Sequence, residues 1–217
     1  MSPPRQIPLD LQHRAALARE DFYVSESNRA AIGWVDKWPQ WPSPLLVISG
    51  PPGCGKTHLL QVWKNIAAAA EAPASGLSGI DAHAIFSSVN ALAVDNVSSV
   101  IGDRAAEEGL FHLYTLAFEK GATILLTAEK PAAEWPFTLP DLKSRVLAAP
   151  AAVIGAPDDE LLAVVLMKLF SDRQIFVSQE VVRFVIARVT RSFAALRAAA
   201  EKIDRRALAE KRAVTVP

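Results

Sequence analysis

The sequence predicts an α/β fold with a central parallel sheet, followed by a small lobe built from helices. Apolar runs of strand length, such as 45–49 and 122–127, alternate with amphipathic stretches of helix length, which is typical of a doubly wound sheet. After Pro157 the strand signal disappears. We therefore expect three parts, which are an N-terminal arm over 1–20, an α/β core over 21–156 and a helical lid-like lobe over 157–217.

The first elements of the core follow from apolar spacing and from proline. Apolar residues at helical spacing predict a helix over 28–37, which Ser27 would cap. Prolines between 39 and 44 end that helix. The branched apolar run 45–49 then predicts a strand that is buried on both faces, and a glycine-rich turn leads from it into a helix over 56–70.

The rest of the chain continues the alternation until the final lobe. The further core elements are predicted in this order: a loop over 71–79, strands over 81–86 and 91–95, a helix over 103–120, and strands over 122–127 and 151–155. Three helices over 158–172, 178–188 and 191–210 complete the lobe. Asp158 or Asp159 would cap the first of these three helices, and Ser178 the second.

Composition excludes several classes of protein. Of 217 residues, 51% are hydrophobic, so the chain can bury a sizeable core. Its 23 basic and 23 acidic residues balance, which excludes a uniformly basic DNA-coating protein. The single cysteine, Cys54, excludes an internal disulfide and a cysteine-rich zinc site. No apolar run suits a membrane span and the N-terminus lacks a secretory signal, so we expect a cytoplasmic protein that does not enter membranes.

Residues 50–57, GPPGCGKT, fit the phosphate-loop pattern G-x-x-x-x-G-K-[ST] at every fixed position and lie between a predicted strand and a predicted helix. Gly53 and Gly55 allow the backbone to curl, so that successive N–H groups point at phosphate oxygens. Lys56 would reach the β- and γ-phosphates, and the Thr57 hydroxyl would bind Mg²⁺. The alternative is an ordinary strand–helix turn that carries a surface lysine.

A second motif is the apolar strand 91–95 with the polar residues at its end. Asp95 suits the acid that holds Mg²⁺ through water. Asn96 follows, where hydrolysing enzymes often have a second acid, and an amide cannot act as a base. The alternative for Asp95 is that it merely caps a loop.

From residue 6 to the end, the order of these features resembles the AAA+ domain of the bacterial replication initiator DnaA, and more closely its shorter homologues of the Hda family. Residues 22–28, FYVSESN, resemble the segment that lines the adenine pocket in that family. Residues 95–103 resemble the Hda form of the metal-acid strand. Residues 125–131 match the strand end called sensor 1, at Thr127, and 139–145 match the segment with the arginine finger, at Arg145.

The resemblance departs from the family at sensor 2, in the last helix. The alignment puts Ala194 where the family has a phosphate-contacting arginine, and Arg191 or Arg197 could substitute for it. With that departure noted, the nucleotide-lining positions implied by the resemblance are Phe22, Tyr23, Val24, Asn28, Pro52, Gly53, Cys54, Gly55, Lys56, Thr57, His58, Asp95, Thr127 and Ala194.

The resemblance also implies a function and partners. A member of the Hda family binds ADP or ATP with Mg²⁺, has weak or no ATPase activity of its own, and works with the sliding clamp (the β subunit of the polymerase) at the replisome. It offers an arginine, here Arg145, to ATP bound by DnaA and so switches initiation off. The sequence ends where DnaA would continue into a DNA-binding domain, so we expect DNA contact only indirectly or weakly. Whether the protein forms a homodimer stays open.

Two local alternatives stay open with this interpretation. Gln6, Leu9 and Leu11 fit a clamp-binding peptide of the Q-x-x-L-x-[LF] kind, but the arm could also pack on its own core. Arg145 could be half of a surface salt bridge. Two rival functions also remain, a DnaA-like or helicase-loader-like ATPase that acts directly on DNA, and a small-molecule kinase, for which no acceptor site is recognisable after Pro157.

Overall fold

The computed structural model describes residues 23–210. The predicted arm, with its clamp-binding pattern, and Phe22 therefore lie outside the described residues. Within the described part the chain forms one five-stranded sheet and a helical lid at the C-terminal side. The predicted α/β core with a parallel sheet and a helical lobe is confirmed.

The sheet is parallel throughout and its strand order is β2-β3-β4-β1-β5. The strands are β1 (Leu45–Ser49), β2 (Ala70–Pro73), β3 (Ala91–Asp95), β4 (Thr123–Ala128) and β5 (Ala151–Val153). β1 lies between β4 and β5, with Val47 opposite both Leu126 and Ala151. Because parallel strands end at the same edge, the residues that follow β1, β3 and β4 come together there.

Helices cover both faces of the sheet. They are α1 (Arg29–Asp36), α2 (Lys56–Ala67), α3 (Ala82–Ser88), α4 (Arg104–Lys120), α5 (Pro140–Ala148), α6 (Asp159–Ser171), α7 (Gln179–Ile186) and α8 (Phe193–Glu210). Alternate residues of β1 point to opposite faces, so Val47 joins the cluster under α3, α4 and α5, whereas Ile48 joins the cluster under α1 and α2.

The lid has a hydrophobic core of its own. Its three helices bury Leu162, Leu166, Phe170, Val182 and Leu196 against one another. Asp158 caps α6 by accepting a hydrogen bond from Leu161 N–H at 2.8 Å, and Ser178 caps α7. Both caps are as predicted. No helix within residues 23–210 is long and apolar enough to cross a membrane.

The predicted strand over 81–86 is wrong. The segment forms helix α3, because the Asp81 carboxylate accepts a hydrogen bond from Ala84 N–H at 3.0 Å and Ala82 and Phe86 are buried one turn apart. The missing strand, β2, covers the last residue of the predicted helix over 56–70 and the start of the stretch expected to be a loop. Its sequence, Ala-Glu-Ala-Pro, lacks the branched residues that mark strands, and Pro73 is tolerated at the sheet edge.

Two local details also differ from expectation. Ser27 does not cap α1, whose N-cap is Asn28 without a side-chain cap; the Ser27 hydroxyl instead pairs with that of Ser25 at 2.7 Å. Helix α5 was not expected, although Pro140 at its first turn is a usual helix start. This helix carries Arg145.

Candidate functional site

The predicted phosphate loop connects β1 to α2. Gly53 and Gly55 have φ angles of +74° and +104°, which side-chain-bearing residues rarely adopt. A Cβ atom added to Gly53 would lie 2.7 Å from the Cβ of Ser192, so there is no room for one. Pro52 and Gly53 are exposed at the turn, and Gly55 is the N-cap of α2. The loop therefore has the curled backbone that phosphate binding needs.

Lys56 lies under this loop and is only 9% exposed. Its ammonium group donates hydrogen bonds to the carbonyl oxygens of Gly50 (2.7 Å) and Pro51 (2.9 Å). Within residues 23–210 no carboxylate pairs with it. The interpretation as a surface lysine therefore does not fit. Among the described residues no anion balances this buried cation, which suits a phosphate ligand.

Cys54 is buried inside the loop. Burial raises the pKa of its thiol, and the nearby Lys56 charge only partly offsets that increase. The thiol therefore stays protonated at neutral pH and packs as an apolar residue. His58 lies half-buried in the first turn of α2.

The residues predicted to handle Mg²⁺ form one hydrogen-bonded chain across the strand ends. Thr57 Oγ1 donates to Asp95 Oδ2 at 2.8 Å, and Thr127 Oγ1 donates to Asp95 Oδ1. The Asn96 N–H in turn donates to Thr127 Oγ1 at 2.8 Å. Among the described residues, the hydrogen-bond partners of the Asp95 carboxylate are the hydroxyl groups of Thr57 and Thr127. None of them is a backbone N–H group, which the alternative of a loop cap would require. A hydroxyl beside a carboxylate supplies the hard oxygen ligands that Mg²⁺ prefers.

Asn96 turns the chain away from the sheet after β3. Its φ of +53° lies in the left-handed region, where asparagine is one of the better tolerated residues. Its side-chain oxygen lies 3.5 Å from the Ser98 hydroxyl, which donates to it. The amide oxygen can accept a hydrogen bond from water, but it cannot act as a base that removes the proton of an attacking water.

The segment expected to line the adenine pocket is folded by Asn28. This buried side chain accepts a hydrogen bond from Ser25 N–H (2.9 Å) and donates one to the Tyr23 carbonyl (3.0 Å). Gly155 N–H donates to Ser27 O at 2.8 Å, which ties the segment to the chain just after β5. Asn28 therefore shapes the segment, while Val24, at 42% exposure, is open to a ligand.

Tyr23 joins this segment to the lid. Its hydroxyl donates a hydrogen bond to Glu160 Oε1 at 2.5 Å, and this bond is the main cause of the raised pKa of Tyr23. Glu160 also lines a lid cavity of about 490 Å³, together with Asp159, Arg183 and Arg191. The expected adenine segment and this lid cavity are therefore adjacent.

The lid also touches the phosphate loop, through the start of α8. The Phe193 N–H donates to Gly53 O at 3.1 Å, and the Ser192 hydroxyl caps the helix by accepting from Ala195 N–H at 3.2 Å. Ala194, the expected sensor 2 position, is exposed and brings no charge. Sequence reasoning missed the contacts of Ser192 and Phe193 with the loop, because neither residue type carries a phosphate-binding signal.

The two arginines that could replace sensor 2 have different surroundings. Arg191 pairs with Asp159 at 3.0 Å, and both side chains are more than half exposed. Arg197 is exposed on α8, and no carboxylate within the described part of the chain pairs with it.

Arg145 lies in the last turn of α5, which packs on the face of the sheet opposite to α1 and α2. Its guanidinium carbon is 5.9 Å from the ring centroid of Tyr114 on α4. The side chain is exposed, and within residues 23–210 it forms no ion pair. The structure thus holds an arginine at the surface over an aromatic ring, and the alternative of a surface salt bridge is not found among these residues.

This parallel sheet, with its phosphate loop between β1 and α2, the polar ends of β3 and β4 beside it and a helical lid touching the loop, defines a P-loop protein of the AAA+ fold. Residues 158–217 match the family model described as "Hda, lid domain". The lid of this chain therefore matches the lid of Hda-type proteins, and the fold as a whole is that of DnaA domain III.

Two relatives resemble this chain over nearly its whole length. An uncharacterised protein of Haemophilus influenzae is 28% identical over 223 residues, which cover 98% of this chain and 96% of that protein. Domain III of DnaA from Thermotoga maritima superposes with a TM-score of 0.78 at 21% identity, covering 93% of this chain and 92% of that one.

A longer solved structure matches as well. AMPPCP-bound DnaA from Aquifex aeolicus gives a TM-score of 0.73 at 20% identity and covers 85% of this chain. The match covers 63% of that DnaA structure and 66% of another described as a DNA replication initiation factor, so the chain spans slightly less than two thirds of these longer proteins.

Proposed function

We propose that this protein is a DnaA-related regulator of replication initiation that binds ADP or ATP with Mg²⁺, docks on the sliding clamp and promotes hydrolysis of ATP bound to DnaA. It would act in the cytoplasm, at the replisome. The observation that carries the proposal is Arg145, an exposed cation without a described anionic partner, held over Tyr114 on a AAA+ domain.

Nucleotide binding is supported by the fit between the loop and a polyphosphate. The curled backbone at Gly53 and Gly55, the buried ammonium group of Lys56 and the adjacent oxygens of Thr57 and Asp95 are the groups that phosphates and Mg²⁺ require. A structural relative, DnaA from Aquifex aeolicus, binds AMPPCP, which is an analogue of an adenine nucleotide.

Weak hydrolysis by the protein itself follows from what its own site lacks. Asn96 cannot take a proton from water, and Ala194 brings no positive charge to the phosphates. The cation of Arg145 is better suited to act in trans, because a guanidinium that enters a neighbour's site stabilises charge on the transferring phosphoryl group. The rival ATPase would instead release phosphate steadily, at roughly 1 s⁻¹ or faster, the lower end for kinases.

The test of the proposal is Arg145→Ala in an assay that contains clamp loaded on DNA and DnaA–ATP. We expect this variant to bind nucleotide and clamp normally and to lose stimulated conversion to DnaA–ADP. Lys143→Ala is the matched control, since it removes another exposed cation from the same helix. Full stimulation by Arg145→Ala would reject the proposed role.

Clamp docking rests on the sequence of the arm. Leu9 and Leu11 would fill apolar pockets, and the Gln6 amide would make fixed hydrogen bonds. The double variant Gln6→Ala with Leu9→Ala should no longer be retained by immobilised clamp. Gln12→Ala with Leu17→Ala removes the same side-chain types outside the pattern and should bind like the wild type. Equal retention of both double variants would contradict the docking motif.

A further inference from the structure

Helix α4 contacts both ends of α5. At the N-terminal end, the Glu107 carboxylate accepts hydrogen bonds from the N–H groups of Thr138 (2.9 Å) and Leu139 (2.6 Å), which immediately precede α5. It also accepts one from Gly102 N–H at 2.8 Å. At the C-terminal end, the ring of Tyr114 lies against the guanidinium of Arg145.

We propose that Glu107 and Tyr114 are positioning residues for Arg145, which fix where its guanidinium is presented to the neighbouring nucleotide. The inference rests on the proposed role of Arg145. Because Tyr114 follows Glu107 by seven residues, or about two helical turns, both side chains lie on one face of α4. A single rigid helix thus sets the start of α5 and the direction of its arginine.

Glu107 is an unusual residue to find in the core, since none of its surface is exposed. Burial on its own would raise the pKa of the carboxyl group, but the N–H groups of Thr138, Gly102 and Leu139 outweigh that effect and lower it. The carboxylate is therefore charged at neutral pH. The N-cap of α5, Leu139, has no side-chain oxygen of its own, so the Glu107 carboxylate caps the start of this helix, whose first turn also carries Asp141.

The middle of α5 is held by ordinary packing, with Leu142 and Val146 buried one turn apart. These contacts attach the helix to the core. They leave the Arg145 side chain free, because an exposed arginine samples many rotamers. The Tyr114 face restricts that choice by a cation–π contact, which the packing alone would not provide.

Tyr114 gives the sharper test, because its substitution should leave α5 folded. Tyr114→Leu keeps apolar bulk and removes the aromatic face, whereas Tyr114→Phe keeps the ring. In the assay of DnaA-bound ATP hydrolysis, we expect Tyr114→Leu to lower the maximal rate about five- to tenfold, since small errors in placing a catalytic group are costly. The concentration for half-maximal stimulation should not change, and Tyr114→Phe should restore the rate. A wild-type rate for Tyr114→Leu, alongside loss in Arg145→Ala, would overturn the proposal.

A second readout is independent of DnaA. In NMR spectra of the whole chain, the Arg145 side-chain Nε–H signal should show a ring-current shift that is retained in Tyr114→Phe and lost in Tyr114→Leu. Absence of that shift in the wild type overturns the positioning role even if Arg145→Ala loses stimulation. Full stimulation by Arg145→Ala instead rejects the function on which the inference rests, so the two failures are distinguishable.

Glu107→Gln tests the other end of α5. It should lower the maximal rate in the same way, whereas its exposed neighbour variant Glu108→Gln, which loses only a surface pair with Arg104, should not. Melting curves show whether Glu107→Gln is folded at the assay temperature. A folded Glu107→Gln protein with the wild-type rate would remove Glu107 from the proposal.

Discussion

The N–H of Phe193, the first residue of α8, donates a 3.1 Å hydrogen bond to the carbonyl oxygen of Gly53 in the phosphate loop. This bond joins the lid to the loop directly. We therefore expect a change in the position of α8 to disturb the backbone that would surround a nucleotide phosphate, and a distortion of the loop to disturb the lid.

Gly53→Ala tests this connection. At a φ of +74°, an alanine costs about 1–2 kcal/mol of backbone strain, and its Cβ would meet the Cβ of Ser192 at 2.7 Å. We expect a lower melting temperature and weaker ADP binding, because α8 must move off the loop. Gly33→Ala, on a helix position with open space around it, should leave both unchanged or raise stability slightly. Normal ADP affinity in Gly53→Ala would contradict the connection.

Lys56→Ala tests the cation under the loop. Loss of a charged hydrogen-bond donor to phosphate, worth about 1.5–3 kcal/mol per bond, should lower nucleotide affinity by roughly two orders of magnitude. Isothermal titration calorimetry with ADP and ATP measures this affinity. Lys64→Ala removes a lysine from the same helix that pairs with Glu71, so it should bind normally. Undiminished binding by Lys56→Ala would refute the assignment of the loop.

The resemblance predicts a phosphate-contacting arginine at the sensor 2 position, where this chain has Ala194, and Arg197 is a candidate substitute for it. Side chains of a helix lean toward its N-terminus, so Arg197 covers the turn that contains Ala194, while Arg191 is engaged by Asp159. We expect Arg197→Ala to weaken ATP binding about tenfold, the equivalent of one charged hydrogen bond, and Arg191→Ala to change it little. Fluorescence titration with a labelled ATP would decide, and a larger loss in Arg191→Ala would reverse the assignment.

Sequence reasoning placed the elements correctly where the signal is local. The glycines and lysine at fixed spacing predict a turn between a strand and a helix, and an apolar run of strand length predicts a strand that ends at Asp95, and the structure has both. The edge strand β2 could not be located in this way, because it is partly exposed and lacks the branched apolar residues that mark buried strands. Helix α3, which follows it, was predicted as a strand because the spacing of its apolar residues also fits a strand.

Contacts between segments that are distant in the sequence could not be predicted either. Glu107 stands in the first turn of α4, where an acid is ordinary on account of the helix dipole, and nothing local shows that its partners lie 31 and 32 residues away. Tyr114 likewise looks like one more residue of an amphipathic helix. Such pairs can be found from positions that co-vary among homologous sequences, and a single sequence does not contain that information.

Glu107 also makes acid stability a test of the structure. The folded pKa of this carboxyl group lies below its ordinary value of 4.5, so the charged form stabilises the fold fully above that value. The stabilisation is lost as the pH falls through the folded pKa. Chemical unfolding of the wild type should therefore show a free energy that declines as the pH falls below that ordinary value, and Glu107→Gln should be less stable at neutral pH by about 2–3 kcal/mol, with a shallower decline. Glu71→Gln, whose more exposed carboxylate also has a lowered pKa through Lys64, should change the decline less, because solvent screens that pair. A decline in Glu107→Gln as steep as in the wild type would mean that the buried carboxylate is not what the three N–H groups stabilise.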